Sequence, residues 1–197
     1  MDASSDSESE TAPPPGKPWS DSEEEVSDGE MPADDPLRKL SWAIRKDTEL
    51  FKTMLQESPE LAVKKLDDDY TCLHMATSEG NLEAVKLLVN AGANVNSVNA
   101  DGWTPLHSAC KWNHVEIAKV LMHAGADYNM KTNGGLSPVH ICSNNSDPAK
   151  IMSMILSRRC VEIKLKSKGD DTPEELCERY NKCSNLLEMQ ADYINQF

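Results

Sequence analysis

Basic residues are scarce: the 197-residue chain carries 20 Lys plus Arg against 33 Asp plus Glu, a formal net charge of -13. A protein that finds DNA or RNA by neutralising phosphates needs a clustered Lys/Arg face, so this balance argues against direct nucleic-acid binding. Long apolar runs are also missing. No stretch approaches the roughly 20 residues needed to cross a bilayer, and Met1-Asp2-Ala3-Ser4-Ser5-Asp6 offers neither the basic nor the apolar region of a secretory signal. The expectation is a soluble intracellular protein of the nucleus or cytoplasm that does not engage a membrane. Six cysteines include no Cys-x-x-Cys pair, so reduced and mostly buried thiols are expected rather than disulfides. Gly-x-Gly-x-x-Gly and Gly-Lys-Ser/Thr phosphate cradles are absent as well. These absences leave little for an enzyme or a cofactor, and neither is expected.

The acid is concentrated at one end. Residues 1–36 hold twelve acids and only Lys17 as a base, together with seven serines and six prolines. After Met1 its large apolar residues are Trp19, Val26 and Met31. Such a composition cannot bury enough surface to offset the chain entropy lost on folding, which predicts a disordered tail over 1–36 and a folded region over 37–197. Ser5, Ser7, Ser20, Ser22 and Ser27 each precede a glutamate by three residues, a pattern resembling acidophilic casein-kinase sites. They are candidate phosphorylation positions, where each phosphate would add nearly two negative charges.

What is present is a period of 33. Thr71-Cys72-Leu73-His74-Met75-Ala76 recurs as Thr104-Pro105-Leu106-His107-Ser108-Ala109, then as Ser137-Pro138-Val139-His140-Ile141-Cys142. The second halves follow suit, with Asn81 to Leu88 leading into Ala91-Gly92-Ala93, and His114 to Leu121 into Ala124-Gly125-Ala126. Thr104 is placed to cap a helix whose first turn accommodates Pro105, which needs no donor there. Leu106, Ala109 and Cys110 share its buried face. Asn113, in the position of Gly80, suits the left-handed geometry between two helices. A second helix near 115–123 is expected to bury Ile117, Val120 and Leu121 and to stop at Gly125. Each unit is then a turn and two short antiparallel helices, too small to close a core without stacked neighbours.

Asp101-Gly102-Trp103-Thr104-Pro105-Leu106-His107 resembles the ankyrin repeat, which implies an all-α ankyrin-repeat solenoid. Stepping back from Ala76 reaches Ala43 within Leu40-Ser41-Trp42-Ala43-Ile44, a degenerate capping repeat over 37–67. Full repeats occupy 68–100 and 101–133. A divergent one covers 134–168, with roughly one inserted residue at Ser146-Asp147-Pro148, and a weaker cap follows over 169–197. A narrower likeness, to a group of small nuclear ankyrin proteins linked to control of gene expression, rests on Trp42-Ala43, Tyr70-Thr71, the run from Asp101 to Asn113 and Asp171-Thr172, and spans about residues 38 to 180.

His74, His107 and His140 recur at the same spacing. Stacked one per layer, about 10 Å apart, they cannot share an ion whose bonds are about 2 Å long. Hydrogen bonds to threonine or across layers to backbone are expected instead. Cys177 and Cys183 lack a base or a second metal-ligand pair, so neither a nucleophile nor a metal site is expected.

Function is therefore sought on the surface that the repeats leave free, at the positions that ankyrin proteins vary to bind partners. Tyr70, Trp103 and Leu136 stand just before Thr71, Thr104 and Ser137, and Leu37 holds the same place in the first unit, an apolar column at steps of 33. At the ends of the first helices stand Arg45 and Lys46, Ser78 and Glu79, Lys111 and Trp112, and Asn144 and Asn145. Exposed aromatics in a row are unusual unless something covers them. The expected function is a monomeric interaction module holding a protein partner on its concave face in transcriptional or signalling control, with Trp103 and Trp112 as anchors. Two alternatives stay open at this point: Tyr70 and Trp103 brace adjacent hairpins, or the chain is an assembly chaperone or inhibitor that shields a basic partner with its acidic tail.

Overall fold

The computed structural model describes residues 32, 35–143, 149–158, 161–162 and 164–179. The expectations for the acidic tail and its five serines, for the insertion at 146–148, for Cys160 and Cys183 and for residues 181–197 lie outside these residues, as do those for Asn144 and Asn145.

Helices come in pairs, and the residues that start them are the ones that the repeat supplies. In the first pair, α1 spans Pro36–Lys46 and α2 Thr48–Glu57; Asp35 caps α1, Asp47 caps α2, and Pro36 occupies the first turn of α1. Helix α1 thus begins one residue inside the stretch read as tail, because an aspartate followed by a proline makes a helix start of its own. The second pair is α3, Cys72–Ser78, and α4, Leu82–Asn90; the third is α5, Pro105–Lys111, and α6, Val115–His123. Helices α7, Pro138–Ser143, α8, Ala149–Leu156, and α9, Pro173–Arg179, complete the array. No strand occurs among the described residues, and a single antiparallel bridge joins Lys65 to Thr71.

The Thr104 hydroxyl accepts from the backbone amide of His107 and the Thr104 amide donates to His107 Nδ1 in return, a capping box that Thr71 and His74 repeat one unit earlier. Gly80 and Asn113 both take positive φ, 74° and 56°, between the two helices of their units. The first helices α1, α3, α5, α7 and α9 pack side by side in one layer, and α2, α4, α6 and α8 form the other. Between the layers lie Leu40, Phe51, Leu73, Leu88, Leu106, Leu121, Ile151 and Ile155, essentially without solvent contact. Each such side chain contributes about 1.5 to 3 kcal/mol on burial. Ile117 and Leu121 are buried as expected, whereas Val120 is half-buried and Ala118 takes the inward position.

Asparagines tie successive units together. Asn81 donates to the carbonyl oxygen of Ile44 at 2.8 Å. Asn96 donates to Gly125 at 3.1 Å and accepts from the amide of Asp127 at 2.8 Å, and Asn129 accepts from Glu162 at 3.0 Å. These bonds supply partners to loop backbone that the helices leave unsatisfied.

The hairpins between units follow one pattern. Leu66, Asn99, Thr132 and Ser167 donate from their amides to the carbonyls of Tyr70, Trp103, Leu136 and Asp171. The last step is 35 rather than 33, and Pro173 likewise follows Pro138 by 35. The fourth unit is therefore two residues longer than the repeat, not one.

Candidate interaction surface

The column before the helix caps is a packed spine. Tyr70 is only 6% exposed; its ring lies 5.0 Å from the His74 imidazole, and its hydroxyl is 3.3 Å from Ser78 Oγ. Burial raises the pKa of that hydroxyl. Trp103 is half-buried against the core, 5.9 Å from the His107 ring. Leu136 is half-buried too. The expectation of a row of exposed aromatics is thus corrected: Tyr70 and Trp103 brace the hairpins, because the histidine that follows each by four residues offers its ring as a floor. Leu37 departs further. It lies in the first turn of α1, not on a hairpin, since the start at Pro36 extends the helix over the positions that form the turn elsewhere.

The histidines link this column from unit to unit. His74 Nδ1 faces the amide and hydroxyl of Thr71 at 3.3 and 2.9 Å, and its Nε2 meets the carbonyl of Trp103 at 2.9 Å. His107 repeats the arrangement with Thr104 and the carbonyl of Leu136, and His140 with Ser137 and that of Asp171. An amide can only donate and a carbonyl can only accept, so Nδ1 is the acceptor and Nε2 carries the proton. The neutral tautomer satisfies every partner. Burial, opposed by the bonds to backbone carbonyls, brings His74 and His107 down to about 4, and burial lowers His140 as well. The expected bonds to threonine and to backbone are both present, the first within a unit and the second between units.

Four described cysteines, Cys72, Cys110, Cys142 and Cys177, are buried and free of disulfides. Burial pushes the Cys72 thiol up to about 12 and Cys142 well above its ordinary value, so neither thiol supplies a thiolate at neutral pH. Among the described residues no three His, Cys, Asp or Glu side chains gather as a metal site, and no helix is long and apolar enough to cross a membrane.

At the ends of the first helices the surface is open. Arg45 Nε lies 3.0 Å from Glu79 Oε1, an ion pair joining the first two units. Lys46 is exposed, and Lys111 is half-buried beside Trp112. Trp112 follows α5 as its C-cap, is 45% exposed, and is the one exposed aromatic side chain among the described residues. It holds that position because Asn113 turns the chain immediately after it with φ 56°.

The hairpin tips also meet one another. Ala100 N donates to Asp68 O, Asn133 N to Asp101 O and Lys168 N to Gly134 O, each at 2.9 Å. Gly102 and Gly135 make room for this, since a Cβ there would stand 2.8 and 2.7 Å from the backbone nitrogens of Asn133 and Lys168. The hairpins differ in charge along the row: the first carries Asp67, Asp68 and Asp69 beside Lys64 and Lys65, the second Asp101, the third Lys131, and the fourth Lys164, Lys166 and Lys168 beside Asp170 and Asp171. These lysines were not among the sequence candidates, although their alternation along residues 164–168 was visible.

Residues 40–132 match the family model for ankyrin repeats in three copies. No curated protein matches the chain. Residues 40–132, with their paired helices, capping boxes and 33-residue step, are ankyrin repeats, and the all-α fold that they establish is the ankyrin-repeat solenoid.

Proposed function

We propose that this chain is a non-enzymatic interaction module that binds a protein partner across the ends of its first helices, on the concave face of the repeat stack. Ankyrin repeats are generic protein-protein interaction modules, which supports the class of function. The observation that carries the location is Trp112, an exposed ring beside Lys111 where the other described aromatics are buried or half-buried. A rigid, amphipathic ring of this kind is the usual core of a binding hot spot. Arg45, Lys46, Glu79 and Lys111 supply a charged surround. Tyr70, Trp103 and Leu136 support the surface from beneath rather than anchoring the partner themselves.

A role in control of gene expression or signalling, in the nucleus or cytoplasm, completes the reading. It draws on the narrower resemblance, to the small ankyrin protein known as fetal globin-inducing factor. That resemblance rests on the quoted residues alone.

The test is affinity capture from the protein's own cells with the full chain and Trp112→Ala, at low and at high salt, beside melting curves. A partner lost on Trp112→Ala with unchanged melting, and retained by the wild type at high salt, supports the reading. Capture indifferent to Trp112 but abolished by salt removes Trp112 as the anchor and assigns binding to charged surface instead.

A further inference from the structure

Residues 164–168 read Lys-Leu-Lys-Ser-Lys, and their exposure alternates in step: Lys164, Lys166 and Lys168 are exposed, while Leu165 and Ser167 are half-buried. Residues 165–167 run between turns at Lys164 and Lys168, and the three exposed lysines occupy alternate positions on the solvent side. The segment is fastened where that side is set, by Ser167 N to Asp171 O and Lys168 N to Gly134 O, both at 2.9 Å. Lys131 joins it from the preceding hairpin, with Nζ 3.3 Å from the carbonyl oxygen of Lys166.

Among the described residues Lys166 alone of these lysines is in an ion pair, and the acids Glu162 and Asp170 bracket the run. In the first hairpin Lys65 pairs with Asp69, four residues on, and in the fourth Lys166 pairs with Asp170, both at 2.8 to 2.9 Å. Lys131 stands at the same place in the third hairpin, but its fourth neighbour is Gly135, required by the close approach of Lys168. A glycine there removes the carboxylate. Asp171 is engaged by Arg179, and Glu175 accepts from the amide of Thr172. Among the described residues Lys131, Lys164 and Lys168 therefore have no carboxylate partner.

We infer that the third and fourth hairpins form a docking strip for an extended acidic peptide segment, whose alternate carboxylates meet Lys164, Lys166 and Lys168 while Lys131 flanks them. The inference rests on the protein-binding reading above and adds the chemistry of the partner and its direction. The acidic tips Asp67, Asp68, Asp69 and Asp101 repel such a segment at the other end of the row, so it is held at the C-terminal hairpins. A peptide fits better than a nucleic acid. Non-specific single-strand binding combines basic side chains with aromatic platforms for the bases, and the exposed aromatic, Trp112, lies at the end of α5 rather than on these hairpins.

The test is fluorescence anisotropy of the full chain with a labelled peptide of alternating Glu and Ser, about twelve residues long and so longer than the lysine run, read against an all-Ser peptide and an oligo-dT of equal charge. The Glu peptide is expected to bind, the all-Ser peptide not to. Raising salt from about 0.05 to about 0.3 M should weaken binding at least about tenfold. Lys131→Glu, Lys164→Glu and Lys168→Glu together should cost at least about tenfold, and Lys164→Gln with Lys168→Gln an intermediate amount, since attraction scales with the charge removed. Lys86→Glu, on the exposed side of α4, should change nothing. No binding by the wild type, an equal loss with Lys86→Glu, or tighter binding of oligo-dT would each overturn the inference. Because Trp112→Ala leaves these lysines in place, failure here with a Trp112-dependent partner intact removes the acidic strip alone.

Discussion

His74 donates from Nε2 to the carbonyl oxygen of Trp103 at 2.9 Å, and this bond joins the end of one ankyrin unit's hairpin to the helix of the unit before it. The Trp103 ring in turn lies against His107, whose Nε2 holds Leu136. Each histidine thus serves two layers, and each needs to be neutral to do so.

Acid should loosen the stack within a defined window. The folded pKa of His74 and His107, about 4, lies below the ordinary 6.5, so the unfolded chain takes up their protons first. Their contribution is whole above pH 6.5 and is lost as pH falls toward 4. At about 1.4 kcal/mol per pH unit, each can remove up to about 3 kcal/mol. Urea denaturation at pH 7 and pH 5 should show the fall, and His107→Gln should reduce it. An identical loss in wild type and variant would assign the acid sensitivity elsewhere.

The two tryptophans should separate by stability. Trp103→Ala removes a half-buried ring that contacts the core and should cost about 2 to 4 kcal/mol, while Trp112→Ala should cost less than about 1 kcal/mol. Equal shifts in the denaturation midpoint would contradict the difference in burial.

Gly102→Ala combines a φ of 77° with a Cβ 2.8 Å from the Asn133 nitrogen, whereas Gly92→Ala meets a φ of 87° with nothing within 4 Å. Both lose about 1 kcal/mol to backbone conformation, and Gly102→Ala must also displace the next hairpin. Chemical denaturation should rank Gly102→Ala well below Gly92→Ala. The reverse order would mean that the hairpin tips yield freely.

Leu106→Ala and Leu121→Ala, at fully buried positions in the two helices of one unit, should each cost about 2 to 5 kcal/mol through lost burial and the cavity left behind. A loss under about 1 kcal/mol at both positions would show that the units repack around the gap.

Ending the chain after residue 168 removes Pro173 and Cys177, both buried, and the bonds from His140 to Asp171 and from Ser143 to Pro173. The end of α7 would then face water, and the whole array should melt lower, since repeat stability is the sum of neighbouring interfaces. An unchanged melting curve would show that α9 caps nothing.

The sequence by itself determined the helical unit, because caps, first-turn prolines and left-handed turns are local chemistry: Thr104, Pro105 and Asn113 act within a few residues of where they stand. It also specified the role of the histidines, whose threonine or serine partner lies three residues away. Tertiary structure alone decided which side chains water reaches. Tyr70, Trp103 and Trp112 are alike in composition, yet Tyr70 is covered by the His74 ring and Ser78, Trp103 is half-covered at His107, and Trp112 stays open past the last turn of α5. Whether a lysine is neutralised depended likewise on a distant neighbour. The approach of Lys168 requires glycine at position 135, and a glycine leaves Lys131 without the carboxylate that Lys65 finds in Asp69.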